Sequence, residues 1–157
     1  MSLEIFSRKV GKALKRKRQT LVTAESCTGG WVAQAVTSVA GSSDWFERGY
    51  VTYSNAAKRE ELGVTRNTLR RHGAVSEQTA REMARGALRH GRATLALAIT
   101  GVAGPGGGSA GKPVGTVCFA WARGRKIRSE TKRFKGGREK VRRQSVIHAL
   151  QGVMKWL

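Results

Sequence analysis

Cysteine is scarce in this chain: Cys27 and Cys118 are the only two among 157 residues, too few for a disulfide framework or a cysteine-based zinc set. Histidine is nearly as rare, and His72, His90 and His148 lack the short helical spacing that places two imidazoles on one metal. Long apolar runs are also missing. None approaches the roughly 20 residues that a bilayer-spanning helix needs. The opening segment MSLEIFSRKVGKALKRKRQ has no continuous apolar stretch of the kind a signal peptide carries. These absences lead us to expect a cytoplasmic protein with no membrane segment, no metal and reduced thiols.

Acidic side chains are short as well. Ten stand against 30 lysines and arginines, for a formal charge of +20, so the surface attracts phosphates, nucleic acid and acidic membranes alike. The basic residues run from Lys9 to Arg18, Arg66 to Arg71, Arg81 to Arg92, Arg123 to Lys135 and Arg138 to Arg143. That spread over several elements describes a generally basic surface better than one groove-reading face.

The length fits one compact domain, 1–157, large enough to bury a single core without staples. Ile5, Phe6, Val10, Ala13 and Leu14 recur at helical spacing between basic residues, which predicts an amphipathic helix over 3–18. LVTAES, 21–26, reads as a buried strand ending in a sharp loop with Ser26 at its carboxyl end. From Thr28, TGGWVAQAVTSV resumes helical spacing. GYVTYSN, 49–55, alternates as a half-buried strand, and AAKREEL then places Lys58 in the first turn of a short helix. Ser76 is the expected N-cap of EQTAREMARGALRHG, with Gly91 at its end. TLALAIT (94–100) and VGTVCFAWA (114–122) read as core strands flanking a glycine-rich loop, KIRSETKRF (126–134) as an edge strand, and REKVRRQSVIHALQGVMKWL as a closing helix. Alternating strands and helices imply a layered α/β domain with a mainly parallel sheet, and such sheets gather ligands at the carboxyl ends of their strands.

Candidate chemistry falls at those ends. In ESCTGG, Gly29 and Gly30 let the chain turn tightly and bring backbone N–H groups near an anionic centre, so a nucleophile at Ser26 would meet a ready oxyanion site. The plain alternative is a strand-to-helix turn in which Ser26 and Thr28 merely cap the helix. Lys58 can act as a general base if burial depresses its pKa, although most lysines are solvated surface charges. Tyr53, Ser54 and Asn55 can orient that lysine or hold a polar substrate group, or can simply make a turn. Glu25 can pair with a lysine or a ribose hydroxyl, or serve as a cap. Cys27 is intrinsically the better nucleophile beside Ser26 but has no histidine near it in sequence. Cys118, alternating with apolar residues, reads as a small buried hydrophobe.

The run TGVAGPGGG, 100–108, lets backbone approach a phosphate or a flat ring closely. It lacks both the Walker spacing and GxGxxG, which disfavours nucleoside triphosphate or NAD binding by those routes. Trp31, Trp45, Trp121 and Trp156 are not interleaved with a single basic stripe, so we read them as core or interface residues rather than base-stacking platforms.

The ordered set ESCTGG, GSS, YSNAAK, LGV, HGAVSEQTA, TGVAGPGGG and KPVGTV resembles the C-terminal domain of the competence-damage-inducible CinA proteins, whose stand-alone versions look like bacterial nicotinamide-nucleotide amidases. The resemblance spans residues 3 to 157. It implies a three-layer α/β/α sandwich with a mixed, mainly parallel five-stranded sheet, one strand antiparallel, assembled as a homo-oligomer. It also implies hydrolysis of nicotinamide mononucleotide to nicotinate mononucleotide and ammonia, without metal or cofactor, in pyridine nucleotide recycling. Ser26 would attack the carboxamide carbon, Lys58 would be the base and Tyr53 would assist or orient it. Glu25, Thr28, Gly29, Gly30, Asn55, Thr100, Gly101, Gly104, Gly106 and Gly107 would surround the substrate, with Arg142 on the last helix reaching its phosphate. Larger members carry an N-terminal nucleotide-processing domain that finds no counterpart in this sequence, so none of that domain's activity is expected. Two other readings remain: a basic nucleic-acid-binding module, and an inactive relative that binds a pyridine nucleotide.

Overall fold

The structure, a computed structural model, describes residues 2–157. Five strands form one sheet: β1 (Leu21–Glu25), β2 (Phe46–Val51), β3 (Leu95–Gly101), β4 (Thr116–Arg123) and β5 (Lys126–Arg133). Their spatial order is β2-β1-β3-β4-β5. β1 pairs in parallel with β2 and β3, whereas β4 runs antiparallel to both β3 and β5. One reversed strand in a mainly parallel sheet is what the resemblance implies.

Helices cover both faces. On one side lie α1 (Leu3–Arg16), α2 (Trp31–Thr37) and α6 (Arg138–Met154); on the other lie α3 (Asn55–Leu62), α4 (Arg66–His72) and α5 (Glu77–His90). Strand side chains alternate in size to match. Leu95, Leu97 and Ile99 of β3 join Val117, Phe119 and Trp121 of β4 against the α1/α2/α6 layer. Ala96, Ala98, Ala120 and Ala122 present a shallow face to α5. Strands buried on both faces read as near-continuous apolar runs, which is why β1, β3 and β4 are easy to find in the sequence.

Close helix contacts depend on missing side chains. A Cβ on Gly86 of α5 would sit 1.8 Å from the Leu62 carbonyl oxygen, so the α3/α5 crossing needs glycine there. The ring of Trp121 likewise fills the space beside Gly152 of α6, and its Nε1 donates to the Ala149 carbonyl at 2.9 Å. Trp45 and Trp121 are core residues, and Trp31 and Trp156 pack at the core's margin. Cys118 is buried, its sulfur 3.6 Å from the Thr131 hydroxyl.

Two boundaries and one whole element differ from the sequence reading. β2 spans Phe46–Val51 rather than 49–55, because after Val51 the chain leaves the sheet and Ser54 caps α3, accepting from the Ala57 N–H. The helix expected from Thr28 starts at Trp31, since Gly29 and Gly30 take positive φ in the turn before it. α4 has no counterpart in the sequence reading: RNTLRRH lacks an apolar stripe, and Thr68 is its one buried residue. The expected N-cap Ser76 does cap α5, accepting from the Thr79 N–H at 3.1 Å.

Candidate active site

The carboxyl ends of β1 and β3 and the chain following β2 converge on one pocket. Ser26 follows β1 directly, and its N–H donates to the Ile99 carbonyl at 3.0 Å, so the sheet ladder holds the residue in place. The glycine loop follows β3. Lys58 rises from α3 in the opposite helical layer. Its Nζ lies 2.9 Å from Ser26 Oγ and 2.7 Å from the Thr52 carbonyl oxygen. The serine and lysine singled out in the sequence therefore meet in space.

Lys58 is only 1% exposed and forms none of the salt bridges among the described residues. Burial without a carboxylate partner disfavours its charged form and lowers its pKa from 10.5 to about 8. A protonated amine donates to Ser26 Oγ; once neutral, it accepts the serine proton along the same contact. That is the geometry a general base requires.

Cys27 is the losing candidate for nucleophile. Burial raises its thiol to about 12, so it stays protonated and poorly reactive at neutral pH. It lines the pocket as a small apolar wall.

Glu25 is fully buried, and its two roles left open in sequence are resolved by its contacts. Oε1 accepts from the Thr28 hydroxyl at 2.6 Å and the Val32 N–H at 2.9 Å, and Oε2 accepts from the Ala33 N–H at 3.1 Å. It caps α2 and fixes the turn. Thr28, Gly29 and Gly30 shape the same turn without lining the cavity, the two glycines with φ of +61° and +99°.

The cavity itself holds about 310 Å³, at the small end of the roughly 300–1,000 Å³ usual for small-molecule sites. Asn55, Thr100, Gly101, Gly104, Gly106 and Gly107 all line it. Thr100 is 1% exposed, and its hydroxyl donates to the Ala74 carbonyl at 2.8 Å. This ties the HGAVS segment to the end of β3. Gly104 has φ of +86°, and a Cβ there would meet the Val114 side chain at 2.4 Å, so a bulkier residue would rebuild this wall.

Two residues singled out in the sequence, Tyr53 and Arg142, make their contacts elsewhere than with Lys58 and the pocket wall, respectively. Tyr53 lines the pocket but is 64% exposed, and its oxygen accepts from Arg138 rather than touching Lys58. The group in contact with the Lys58 amine besides Ser26 is the Thr52 carbonyl, a backbone atom that residue-type reasoning passes over. Arg142 is not on the pocket wall. Its Nε and Nη2 donate to the Cys27 and Thr28 carbonyls at 3.1 and 3.2 Å, and its guanidinium lies over the Trp31 ring. It braces the nucleophile turn. The arginine that does line the cavity is Arg138, one helical turn earlier, held by the Gly104 carbonyl at 2.7 Å. The RxxxR spacing of Arg138 and Arg142 on one helix face was the signal that could have found it. Among the described residues no group of three or more His, Cys, Asp or Glu side chains is placed to hold a metal ion.

Fold and pocket together define a three-layer α/β/α domain with a serine–lysine site at the carboxyl end of its sheet. The chain belongs to the CinA C-terminal domain family, whose model matches residues 3–157. It is 57% identical over 148 residues to the nicotinamide-nucleotide amidohydrolase PncC of Escherichia coli K12, covering 93% of this chain and 89% of that protein. Identity to the protein of the same name from Pseudomonas putida is 52% over 146 residues, covering 93% and 91%. Among solved structures, the competence/damage inducible protein CihA from Agrobacterium tumefaciens superposes with a TM-score of 0.94 at 45% identity, covering 99% of this chain and 98% of that one.

Proposed function

We infer that this chain is a nicotinamide-nucleotide amidohydrolase: it hydrolyses the carboxamide of nicotinamide mononucleotide to nicotinate mononucleotide and ammonia, in pyridine nucleotide recycling. The names carried by its relatives at 50–57% identity support the substrate. The observation that carries the chemistry is the 2.9 Å contact between a buried, charge-unpaired Lys58 and Ser26.

Neutral Lys58 takes the Ser26 proton as Oγ attacks the carboxamide carbon. The tetrahedral oxyanion forms beside the Cys27 N–H, the turn residue that lines the pocket, since the Ser26 N–H is committed to the sheet and the Gly29 N–H to the Ser26 carbonyl. The C–N bond then breaks, Lys58 returns its proton to the departing nitrogen, and ammonia leaves a Ser26 ester. Water attacks that ester with Lys58 again as base, which releases the carboxylate and regenerates the serine. Thr52 keeps the amine aimed throughout.

Arg138 and the backbone of residues 104–107 receive the nucleotide phosphate at the cavity wall, since a guanidinium fixed by one carbonyl retains donors for a phosphate. Homo-oligomeric assembly belongs to the same reading, as does a cytoplasmic location. Exposed Val51, Tyr53 and Val114 supply apolar surface for such assembly.

The test is ammonia release from nicotinamide mononucleotide. Wild type turns over, and Ser26→Ala and Lys58→Ala lose nearly all activity while keeping their fold. A wild type that binds the nucleotide without releasing ammonia would overturn the reading.

A further inference from the structure

A second concave site lies at the opposite pole of the sheet from Ser26. β4 runs antiparallel, so its first residue, Thr116, is at the end of the sheet near the serine pocket and its last, Arg123, is at the far end. There a tight turn through Gly124 and Arg125 leads into β5. The turn and the end of α6 border an open concavity of about 760 Å³. Five cationic side chains line it, Arg123, Arg125, Lys126, Arg128 and Lys155, together with Trp156 and no aspartate or glutamate.

Part of this charge has a structural use. Arg123 donates to the Trp156 carbonyl at 2.7 Å, and Arg128 donates to the Gly152 carbonyl at 3.2 Å. The Arg128 contact satisfies a carbonyl that the end of α6 leaves open, and the Arg123 contact holds the segment that follows the helix. Arg128 also lies over the Trp121 and Trp156 rings. Capping does not account for the rest. Arg125, Lys126 and Lys155 are exposed and join none of the salt bridges among the described residues. Arg123 and Lys126 stand directly opposite each other in the β4/β5 register, a like-charge pair that destabilises a hairpin. Arg125, Lys126 and Lys155 thus carry charge that the packing of the hairpin and α6 does not use.

We propose that this hairpin cavity is an anion site for a small ligand carrying two or more linked phosphates, a nucleoside di- or triphosphate, separate from the serine pocket. Two guanidiniums already fixed by backbone carbonyls, at Gly152 of α6 and at Trp156 just after it, keep free N–H donors at little ordering cost. Three exposed cations, Arg125, Lys126 and Lys155, stand beside them, and Trp156 offers an apolar edge to a base. One phosphate would leave most of the five cations unneutralised, whereas a linked pair or triplet matches them. The open concavity has room for a nucleotide laid along its surface.

The experiment is calorimetric titration of the full chain with ATP, AMP and a single-stranded oligonucleotide at physiological ionic strength. It is repeated on Arg125→Ala/Lys126→Ala/Lys155→Ala, whose three positions are exposed and outside the serine pocket, and on Arg138→Ala. ATP is expected to bind wild type at least about tenfold more tightly than AMP and to lose about tenfold or more in the triple variant. Arg138→Ala should keep ATP affinity, and the triple variant should keep basal ammonia release. Equal ATP affinity in wild type and the triple variant overturns the proposal. So does equal AMP and ATP binding, loss of ATP binding in Arg138→Ala, or a triple-variant defect confined to the oligonucleotide.

Discussion

Arg138 Nη2 donates to the phenol oxygen of Tyr53 at 3.1 Å, joining the start of α6 to the segment between β2 and α3 across the mouth of the serine pocket. The contact makes Arg138 and Tyr53 one rim. It predicts that Arg138→Ala raises KM for nicotinamide mononucleotide by about 10- to 100-fold, the value of a lost charged hydrogen bond, with a smaller change in kcat. Tyr53→Phe should cost only a few-fold. Steady-state kinetics check this, and a Tyr53→Phe defect as deep as that of Lys58→Ala would return the tyrosine to the chemistry.

The lysine sets the pH dependence. With its pKa lowered to about 8, the neutral base forms as pH rises through that value, so kcat/KM should climb from pH 6 and level off above about 8. Stability moves in the same direction. Between about 8 and the unfolded value of 10.5 the folded chain holds fewer protons than the unfolded one, so stability increases with pH across that window. A kcat/KM that stays level from pH 6 to 9 contradicts the assignment.

Removing the buried amine should separate stability from activity. Lys58→Met leaves no cation to desolvate and is expected to be more stable at pH 7 by on the order of 1–3 kcal/mol while losing turnover. Thermal melts paired with the ammonia assay test it; a variant melting well below wild type would show that the amine's contacts to Ser26 and Thr52 outweigh its burial.

A serine ester on the pathway can be intercepted. Hydroxylamine added during turnover should divert acyl groups from water and yield the hydroxamate of nicotinate mononucleotide, detectable by mass spectrometry and absent with Ser26→Ala. If rapid quench finds neither hydroxamate nor an adduct on Ser26, direct attack by water replaces the covalent route.

Cys27 gives a control next to the nucleophile. Its thiol, pushed up to about 12, should resist iodoacetamide in the native state, and Cys27→Ala should keep most activity at a cost of about 1 kcal/mol in stability. Loss of turnover in a folded Cys27→Ala would mean that the sulfur takes part.

Much of this was legible in sequence because the informative positions obey simple periodicities. Leu95, Leu97 and Ile99 alternate with Ala96 and Ala98, which marks a strand buried on both faces. Ser26 and Lys58 stand out by lying at strand ends next to glycine or a helix start. The misses share a cause: each depends on where a group points. Thr52 contributes a carbonyl that every residue owns, so its type carries no signal. Arg138 and Arg142 share a helix face, and only the packing of Trp31 and the nucleophile turn decides which one braces and which one faces the cavity. Glu25 looked equally fit for substrate or cap until the Val32 and Ala33 N–H groups claimed it.

Ser26 follows β1 in the turn that leads to α2 on one side of the sheet, whereas Lys58 lies in α3, which follows the neighbouring β2 and packs on the other side. Slipping β1 against β2 by a single residue would shift one partner by about 3.3 Å and break a contact that spans only one hydrogen bond. Turnover is therefore a gauge of strand alignment: a chain whose layers are collapsed but misregistered is silent, and heat inactivation should coincide with loss of the whole sheet rather than precede it.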